Sequence, residues 1–343
     1  MKVAILGAGF IAHAHAAAYA SLPGVELKLV ADPRQAEAHR LAAAYGATPV
    51  SSASDVWESD VDVVSVCTPT PTHAPLSIAG LQAGKHVLCE KPIAGSLTDA
   101  VAMLEAARTA QHHGIHFMVG HVSRFEPDHL AAKTVVDQGD IGHLRMASQS
   151  ITGPFPTWSS GGWFADPSQS GGPVVDLAIH SFDYLAWLFA APPSRVSAVG
   201  VSRQVPLPSY VLCTIRFEGG GLALVEVSWA HPRTSGLAVR TELVGTAGRI
   251  TWNYDDIAAV RVTEEGSAPR NILMPGSNSF ADEIRSFLAS IKNGTPVPVT
   301  AEEALTALQI ALAANDSLRT GQPVEVYNGT PQAPQVGEVE ANP

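Results

Sequence analysis

A lysine, an aspartate and a histidine have the chemistry to move a hydride off an alcohol. Lys91 lies in Glu90-Lys91-Pro92 directly after an apolar segment, and Asp176 and His180 stand four residues apart in GGPVVDLAIH. Four residues are about one helical turn, so we expect the carboxylate and the imidazole to share a helix face. An imidazole can accept a hydroxyl proton near neutral pH, and an ammonium can stabilise the charge left on oxygen. The alternative is a hydrogen-bonded pair that only satisfies a buried helix.

A glycine-rich loop near the start of the chain predicts a dinucleotide site. GAGFIA at 7–12 follows an apolar segment and precedes an alanine-rich helical pattern, and it matches the GxGxxG/A motif in its second form. Gly7 allows the tight turn, Gly9 lets main-chain N–H groups reach a pyrophosphate, and Ala12 permits close helix packing. The helix N-terminus adds partial positive charge beside the phosphates. A purely structural turn is the alternative.

Asp32, twenty residues after Ala12, predicts which dinucleotide is bound. Its carboxylate can accept hydrogen bonds from both ribose hydroxyls, and it repels a 2′-phosphate. Two unit charges about 4 Å apart, at an effective dielectric near 20, interact by about 4 kcal/mol. Arg34 acts in the opposite direction, because it could cover the adenine or pair with a 2′-phosphate. We therefore expect NAD, with NADP less favoured.

The elements that position these residues alternate up to about residue 122. Continuous apolar segments with helical patterns between them predict a parallel sheet covered on both faces, which is a doubly wound Rossmann α/β fold. The expected strands are 3–6, 27–31, 61–67, 86–89 and 116–119. The expected helices are 11–20, 34–45, 74–83 and 98–112. Lys91 then lies at the carboxyl edge of the sheet, and the following proline restricts it to an extended or cis geometry.

Past residue 122 the pattern predicts an α+β domain with an open, mostly antiparallel sheet. The expected helices are 129–138, 174–189, 278–291 and 301–318, and an irregular segment is expected at 152–172. The expected strands are 196–201, 211–217, 222–227, 239–244, 250–252 and 258–262. We divide the chain into domains 1–122 and 123–327, with the last helix able to pack back on the first domain. The tail at 328–343 is rich in Pro, Gly and Glu and is expected to be disordered.

Composition limits the partners. The 343 residues carry a net charge of -11, which argues against nucleic acid because phosphate neutralisation needs a basic face. Cys67, Cys89 and Cys213 form no CxxC pair, so buried thiols in a reducing cytoplasm are expected. The pattern shows no signal peptide and no apolar membrane span, which predicts a cytoplasmic protein without a membrane partner. No motif predicts a metal site.

Eight short motifs occur in order along the chain. They are GAGFIA, ADP at 31–33, CTPTPTH at 67–73, GKHVLCEKP at 84–92, VGHVSRFEP at 119–127, GDIG at 139–142, GGPVVDLAIH at 171–180 and GTAGRI at 245–250. With these motifs, residues 1–327 resemble the glucose–fructose oxidoreductase / inositol dehydrogenase (Gfo/Idh/MocA) family. The resemblance implies a Rossmann domain followed by an open-faced mixed sheet, and homo-oligomers, dimers or tetramers, often built on that sheet. It also implies a catalytic set of Lys91, Asp176 and His180.

What the resemblance implies is an NAD(P)-dependent dehydrogenase acting on a hydroxyl of a sugar, cyclitol or polyol. His180 would be the base, Lys91 would stabilise the reacting oxygen, and Asp176 would orient the imidazole or bind a neighbouring hydroxyl. The expected cofactor-binding residues are Gly7, Gly9, Phe10, Ile11, Asp32, Arg34, Thr68, Pro69, His73, Glu90 and Lys91, with a helix-cap role as the alternative for His73. The expected substrate-binding residues are Lys91, Arg124, Trp163, Asp176, His180 and His231.

Two positions depart from the family pattern. Pro173 stands where a third glycine is common, and Phe164 follows Trp163 where an arginine is common. The missing arginine removes a hydrogen-bond donor to substrate, so the sequence assigns no particular sugar. The histidines at 13, 15, 112, 113 and 116 show no paired geometry with carboxylates and are expected to be scaffold or surface residues.

Three other functions stay open on the same fold. A redox-neutral glycosidase or lyase would oxidise its substrate transiently and return the hydride, and it would need a further acid/base residue. A reductase would use the same residues in the opposite direction. A non-catalytic dinucleotide-sensing regulator would have no use for a base.

Overall fold

The computed structural model describes residues 1–157, 160–202, 208–254, 259–273, 276 and 278–327. The segment 328–343, expected to be disordered, lies outside these described residues. Within them, no helix combines the length and the apolar character needed to cross a membrane.

The first sheet has six parallel strands in the order β3-β2-β1-β4-β5-β6. The strands are β1 (Lys2–Leu6), β2 (Glu26–Ala31), β3 (Thr48–Val50), β4 (Val63–Val66), β5 (His86–Glu90) and β6 (Phe117–Gly120). The helices between them are α1 (Phe10–Ala20), α2 (Gln35–Tyr45), α3 (Ala53–Trp57), α4 (His73–Gln82) and α5 (Leu97–Gln111). The strand order reverses between β1 and β4, which places a ligand crevice at their carboxyl ends. The expected doubly wound fold is confirmed.

The second sheet has nine strands among the described residues, in the order β14-β13-β12-β11-β7-β10-β9-β8-β15. The strands are β7 (Leu144–Pro154), β8 (Pro193–Val201), β9 (Tyr210–Phe217), β10 (Leu222–His231), β11 (Ala238–Gly245), β12 (Gly248–Asn253), β13 (Ala259–Glu264), β14 (Arg270–Leu273) and β15 (Val324–Glu325). Only β7 and β10 run parallel to each other; the other neighbours are antiparallel. The expected open and mostly antiparallel sheet is confirmed.

Helices cover one face of this sheet and connect it to the Rossmann domain. They are α6 (Pro127–Gln138), α7 (Pro167–Ser170), α8 (Gly172–Asp176), α9 (Ala178–Phe189), α10 (Ser279–Asn293) and α11 (Ala301–Thr320). Helix α11 contacts β8, β15, α8 and α9 of the second half of the chain, and α5 and β6 of the Rossmann domain. Thr300 and Glu303 form a capping box at the start of α11.

Two predicted boundaries are wrong. The segment expected to be irregular from residue 152 begins as part of β7, whose outward residues such as Ser148 and Ser150 are polar and hide the alternation. The single helix expected at 174–189 is two helices, α8 and α9, because Leu177 has φ of -102° and interrupts the helical hydrogen bonding. This interruption lies between Asp176 and His180.

Candidate active site

A cleft of about 550 Å³ opens at the carboxyl ends of β1, β2 and β4. It brings together predicted cofactor residues from three separate segments of the chain. These are Gly7, Gly9, Phe10, Ile11, Asp32, Arg34, Thr68 and Pro69. Trp163 and Phe164 reach the same cleft from the second half of the chain. The cleft is therefore bounded on one side by the phosphate loop and on another by two aromatic rings.

The two glycines of the loop are needed for different reasons. Gly7 has φ of +88°, and a Cβ there would lie 2.4 Å from the carbonyl oxygen of Cys67 on the next strand. Gly9 has an ordinary φ of -84°, and a Cβ there would meet no atom within 4 Å. Gly7 is thus fixed by packing inside the protein, whereas Gly9 faces open space directly before α1. A pyrophosphate fits that space, beside the N-terminus of an 11-residue helix.

Asp32 is buried at the edge of the cleft, and its carboxylate accepts four hydrogen bonds. Its Oδ2 accepts from Ala8 N (2.8 Å) and Arg34 Nη2 (2.8 Å), and its Oδ1 accepts from Arg34 N (2.8 Å) and Nε (3.0 Å). Burial opposes ionisation, but the bonds from Arg34 and Ala8 outweigh it and lower the pKa of Asp32. The carboxylate is therefore charged, and a ribose hydroxyl would have to take the place of the Arg34 fork.

Lys91 and Asp176 meet across the two halves of the chain. The Nζ of Lys91 donates to the main-chain oxygen of Asp176 (2.7 Å) and to its Oδ1 (3.1 Å). An ammonium has three donors, so one N–H is left for another partner. The side chains of Lys91 and Asp176 are 16% and 13% exposed. The pair is thus held firmly while still reachable from solvent, and the Lys91–Pro92 peptide bond is cis.

The helix interruption makes the contact to the Asp176 main chain possible. In an unbroken helix the amide of His180 would donate to the carbonyl of Asp176. Here the His180 amide donates to Leu177 O (3.3 Å) and the Asp176 carbonyl accepts from Lys91. The expectation that Asp176 and His180 share a turn of one helix is therefore wrong.

The glycines before α8 serve this turn of the backbone. Gly171 and Gly172 have φ of +67° and +69°, and a Cβ on Gly171 would lie 2.5 Å from Cβ of Val175. Their role in the structure is thus to let the chain fold onto itself. Packing against Val175, inside the protein, is what requires glycine at Gly171.

His180 is partly buried beside the lysine, and its Nδ1 lies 3.4 Å from Ser123 Oγ. Burial, and then the positive charge of Lys91, lower the pKa of His180 well below its ordinary value. The ring is therefore neutral at pH 7 and able to accept a proton. Among the described residues, Nδ1 of His180 contacts Ser123 and not Asp176. The sequence analysis did not identify Ser123 as a site residue.

Glu90 faces the protein interior, not the cleft. Its Oε1 lies 2.8 Å from His15 Nε2 and its Oε2 accepts from the amide of Lys91 (3.2 Å), while His15 Nδ1 lies 3.1 Å from Ser65 Oγ. Burial opposes the charge on Glu90, but the His15 bond and the neighbouring positive charges, that of Lys91 among them, together outweigh it and lower the pKa of Glu90. The expected cofactor contact of Glu90 is absent from the described cleft. The view of His15 as unpaired scaffold is also wrong, because it connects α1 to the lysine segment.

His73 lies behind the cleft and is 1% exposed. Its Nε2 is 2.9 Å from the carbonyl oxygen of Thr68, and its Nδ1 is 2.8 Å from that of Pro92. His73 is the first residue of α4, but its side chain bonds these two loops and not the helix end. His73 is therefore not among the residues that line the cleft, and it does not cap the helix as the alternative expects.

Arg124 is buried in an ionic cluster, which contradicts its expected place in a substrate pocket. It donates to both carboxylate oxygens of Asp183 (2.7 and 2.8 Å) and to Glu303 (2.8 Å), and its guanidinium lies 5.2 Å from the ring centroid of Trp187. Its positive charge is thus paired with two carboxylates of the protein itself.

The other two expected substrate residues also lie elsewhere. Trp163 lines the cofactor cleft, where it stacks on Phe164 at 4.1 Å between centroids. His231 ends β10 opposite Pro154, and no described hydrogen bond connects it with the lysine. Neither residue is placed beside Lys91 by the contacts of the described chain.

Glu126, Asp128 and His129 form a cluster with the donor types of a metal site, although the sequence predicts none. His129 Nδ1 lies 2.9 Å from Asp128 Oδ1 and 3.2 Å from Glu126 Oε2. Burial opposes a charge on His129, but these carboxylates outweigh it and raise its pKa to about 9. With its ring protonated, His129 forms an internal salt bridge with the two carboxylates.

Comparison with known proteins agrees with this architecture. An oxidoreductase family model with an NAD-binding Rossmann fold matches residues 1–121, and the GFO/IDH/MocA C-terminal domain model matches residues 129–251. The chain is 28% identical to the inositol 2-dehydrogenase of Rhizobium meliloti (strain 1021), over 95% of this chain and 99% of that protein. It is 29% identical to the scyllo-inositol 2-dehydrogenase (NAD(+)) of Bacillus subtilis (strain 168), over 95% and 96%.

A solved structure shows the same fold. Levoglucosan dehydrogenase in complex with NADH superposes with a TM-score of 0.88, covering 96% of this chain and 100% of that one at 24% identity. The two family models, taken with relatives that align along nearly the whole chain, identify it. The chain belongs to the Gfo/Idh/MocA family of oxidoreductases, and its N-terminal Rossmann domain binds NAD.

Proposed function

We propose that the protein is an NAD-dependent dehydrogenase that oxidises a ring hydroxyl of a cyclitol, sugar or related polyol. The observation that carries the proposal is the Lys91 ammonium, which Asp176 holds with two bonds and which keeps one N–H unassigned. Two relatives that align along nearly the whole chain are inositol dehydrogenases, which supports this substrate class.

Lys91 and His180 divide the work on the hydroxyl. The free N–H of Lys91 donates to the reacting oxygen and stabilises negative charge as it develops there. His180 takes the hydroxyl proton, since its lowered pKa keeps the ring neutral before the reaction. Because Lys91 and His180 repel each other when both are charged, the lysine favours loss of that proton to solvent afterwards.

Asp176 positions the lysine and not the imidazole. Its carboxylate and its main-chain oxygen together accept two of the three lysine N–H groups, which aims the third. The remaining lone pairs of the partly exposed carboxylate can accept from a neighbouring substrate hydroxyl. A vicinal diol, as in a cyclitol or sugar, suits this arrangement.

The cofactor cleft supplies the other half of the reaction. NAD held in this cleft would supply the hydride acceptor, a chemistry that belongs to its nicotinamide ring. Gly9 and the start of α1 would hold the pyrophosphate, and Asp32 would bind the adenosine ribose. Trp163 and Phe164 would cover the cleft and exclude water from it.

The test is NADH formation from NAD with a panel of inositols, aldoses and 1,6-anhydro sugars. We expect oxidation of at least one member, and a loss of about 10²- to 10⁴-fold in kcat for His180→Ala with NAD binding intact. Near-normal turnover by His180→Ala would remove the base assignment. Tight NAD binding without any NADH formation across the panel would instead favour the redox-neutral hydrolase or the sensor.

A further inference from the structure

His73 is a buried histidine with two main-chain partners on different loops. The carbonyl of Thr68 belongs to the segment after β4, which lines the cofactor cleft, and the carbonyl of Pro92 belongs to the segment after β5, directly after Lys91. The two contacts are 2.9 and 2.8 Å long. A single side chain thus connects the cofactor loop with the lysine loop.

Both loops depend on this connection in part. Thr72 closes the Thr68 loop locally, since its hydroxyl donates to Pro69 O and accepts from the Thr68 hydroxyl, both at 2.7 Å. The lysine loop is also held by Glu90, whose carboxylate accepts a hydrogen bond from the Lys91 amide. Neither of these bonds spans the two loops, whereas His73 does.

The chemistry of imidazole allows the two contacts to be separated. A doubly protonated ring donates to both carbonyls, and a neutral ring donates to only one of them. Burial lowers the pKa of His73, and Lys91 adds to this, although the two carbonyls and Glu90 act in the opposite direction. An asparagine amide nitrogen can replace Nδ1, and a glutamine amide nitrogen can replace Nε2, because each reaches about the same point from the backbone.

We propose that His73 is a positioning residue that fixes the cofactor loop relative to the catalytic lysine. Its Nε2 sets the Thr68 carbonyl and thereby the cleft that receives NAD. Its Nδ1 sets the Pro92 carbonyl and thereby the aim of Lys91. The second half rests on the proposed function, because it assumes that Lys91 contacts the substrate.

The proposal predicts opposite defects in two variants. His73→Asn keeps the bond to Pro92 and loses the one to Thr68, so the Kd for NAD rises about tenfold while kcat changes by less than about twofold. His73→Gln keeps the bond to Thr68 and loses the one to Pro92, so kcat falls about tenfold while the Kd for NAD is nearly unchanged. His73→Leu loses both bonds and shows both defects.

The experiment uses the full chain, with NAD titrated against protein fluorescence and kcat measured with myo-inositol as the probe. The control is His116→Leu, which removes a histidine that bonds Thr295 O (3.2 Å) in a groove away from the cleft. We expect this variant to change neither quantity. Thermal melting of each variant reports the folded fraction.

Equal losses in His73→Asn and His73→Gln that follow the fall in Tm would overturn the proposal, because His73 would then be only structural. Wild-type values in both variants would overturn it as well. If no member of the substrate panel is oxidised, or if Lys91→Met keeps full turnover, the proposed function fails. The Kd comparison between the asparagine and glutamine variants still decides the role of His73 at the cofactor loop.

Discussion

The protein has two cation–aspartate pairs whose aspartates lie on the successive helices α8 and α9, and the two pairs differ in their exposure to solvent. Lys91 pairs with Asp176, and Arg124 pairs with Asp183, seven residues later in the chain. The first pair is 16% and 13% exposed, whereas the second is 3% and 0% exposed. From sequence both cations are equally good candidates for binding a substrate.

The difference lies in how many donors are left. The guanidinium of Arg124 uses its N–H groups on Asp183, Glu303 and the carbonyl of Pro298, so it has little to offer a ligand. The ammonium of Lys91 uses two of three. The proposed catalytic pair differs from the structural pair because Lys91 is partly exposed and keeps an N–H that can bind a ligand. Charge alone does not distinguish them.

The largest effect is expected from Lys91→Met. Because an N–H aimed at a developing oxyanion is lost, kcat should fall about 10²- to 10³-fold. The partly exposed Asp176 can be solvated, so the Tm and the Kd for NAD should stay close to wild type. Steady-state kinetics and NAD titration measure these quantities. A large fall in Tm would place Lys91 with the structural pairs.

The opposite pattern is expected from Arg124→Met. Leaving Asp183 buried without its cation should lower the free energy of unfolding by about 3–5 kcal/mol, as urea denaturation would show. The folded fraction should keep its kcat. Changing Asp183→Leu as well should recover part of the stability, since no buried charge is left unpaired. A stable but inactive Arg124→Met variant would contradict the comparison.

His129 extends the comparison to a third ionic cluster, one that titrates. Its pKa is raised to about 9, so its contribution to stability is complete below about pH 6.5, the unfolded value, and is lost as the pH rises through 9. This amounts to about 3 kcal/mol between those limits. Urea denaturation at several pH values should show the decline in wild type and a flatter profile in His129→Gln. Identical profiles would remove the assignment.

The smallest effect is expected from replacing Asp32. This residue lines the cleft, but its carboxylate already accepts four hydrogen bonds within the protein. Asp32→Ser removes the repulsion of a 2′-phosphate and releases Arg34, so the ratio of kcat/KM for NADP to that for NAD should rise roughly tenfold to hundredfold. Adding Arg34→Ala should cancel much of the gain. An unchanged ratio would mean that Asp32 does not contact the ribose directly and acts only by holding Arg34 in place.

Much of the fold could be predicted because its signals are local. Segments such as those that became β1 and β5 are continuously apolar and are buried on both faces, which a parallel sheet requires. The short β3 and the polar-faced β7 were missed, because neither has an apolar run of its own. β7 is a strand because β10 and β11 flank it, which is information from distant parts of the chain.

The site was predictable only where a motif marks it. The phosphate loop, Asp32 and Lys91 lie where strand ends must place them. The break at Leu177 was missed because leucine favours helix, and propensity is a weak guide when distant contacts compete. His15 was missed because its partner Glu90 is distant in sequence, and one chain gives no sign of which histidine meets which carboxylate.

The interruption at Leu177 also changes what mutagenesis can detect. Half of the anchor of Lys91 is a peptide oxygen, and replacing the side chain of Asp176 leaves that oxygen where it is. A side-chain scan of this segment will therefore under-report how the lysine is held. A substitution that makes α8 and α9 one continuous helix would be more damaging. The peptide oxygen of Asp176 would then accept from the His180 amide, and Lys91 would keep only its bond to the Asp176 carboxylate.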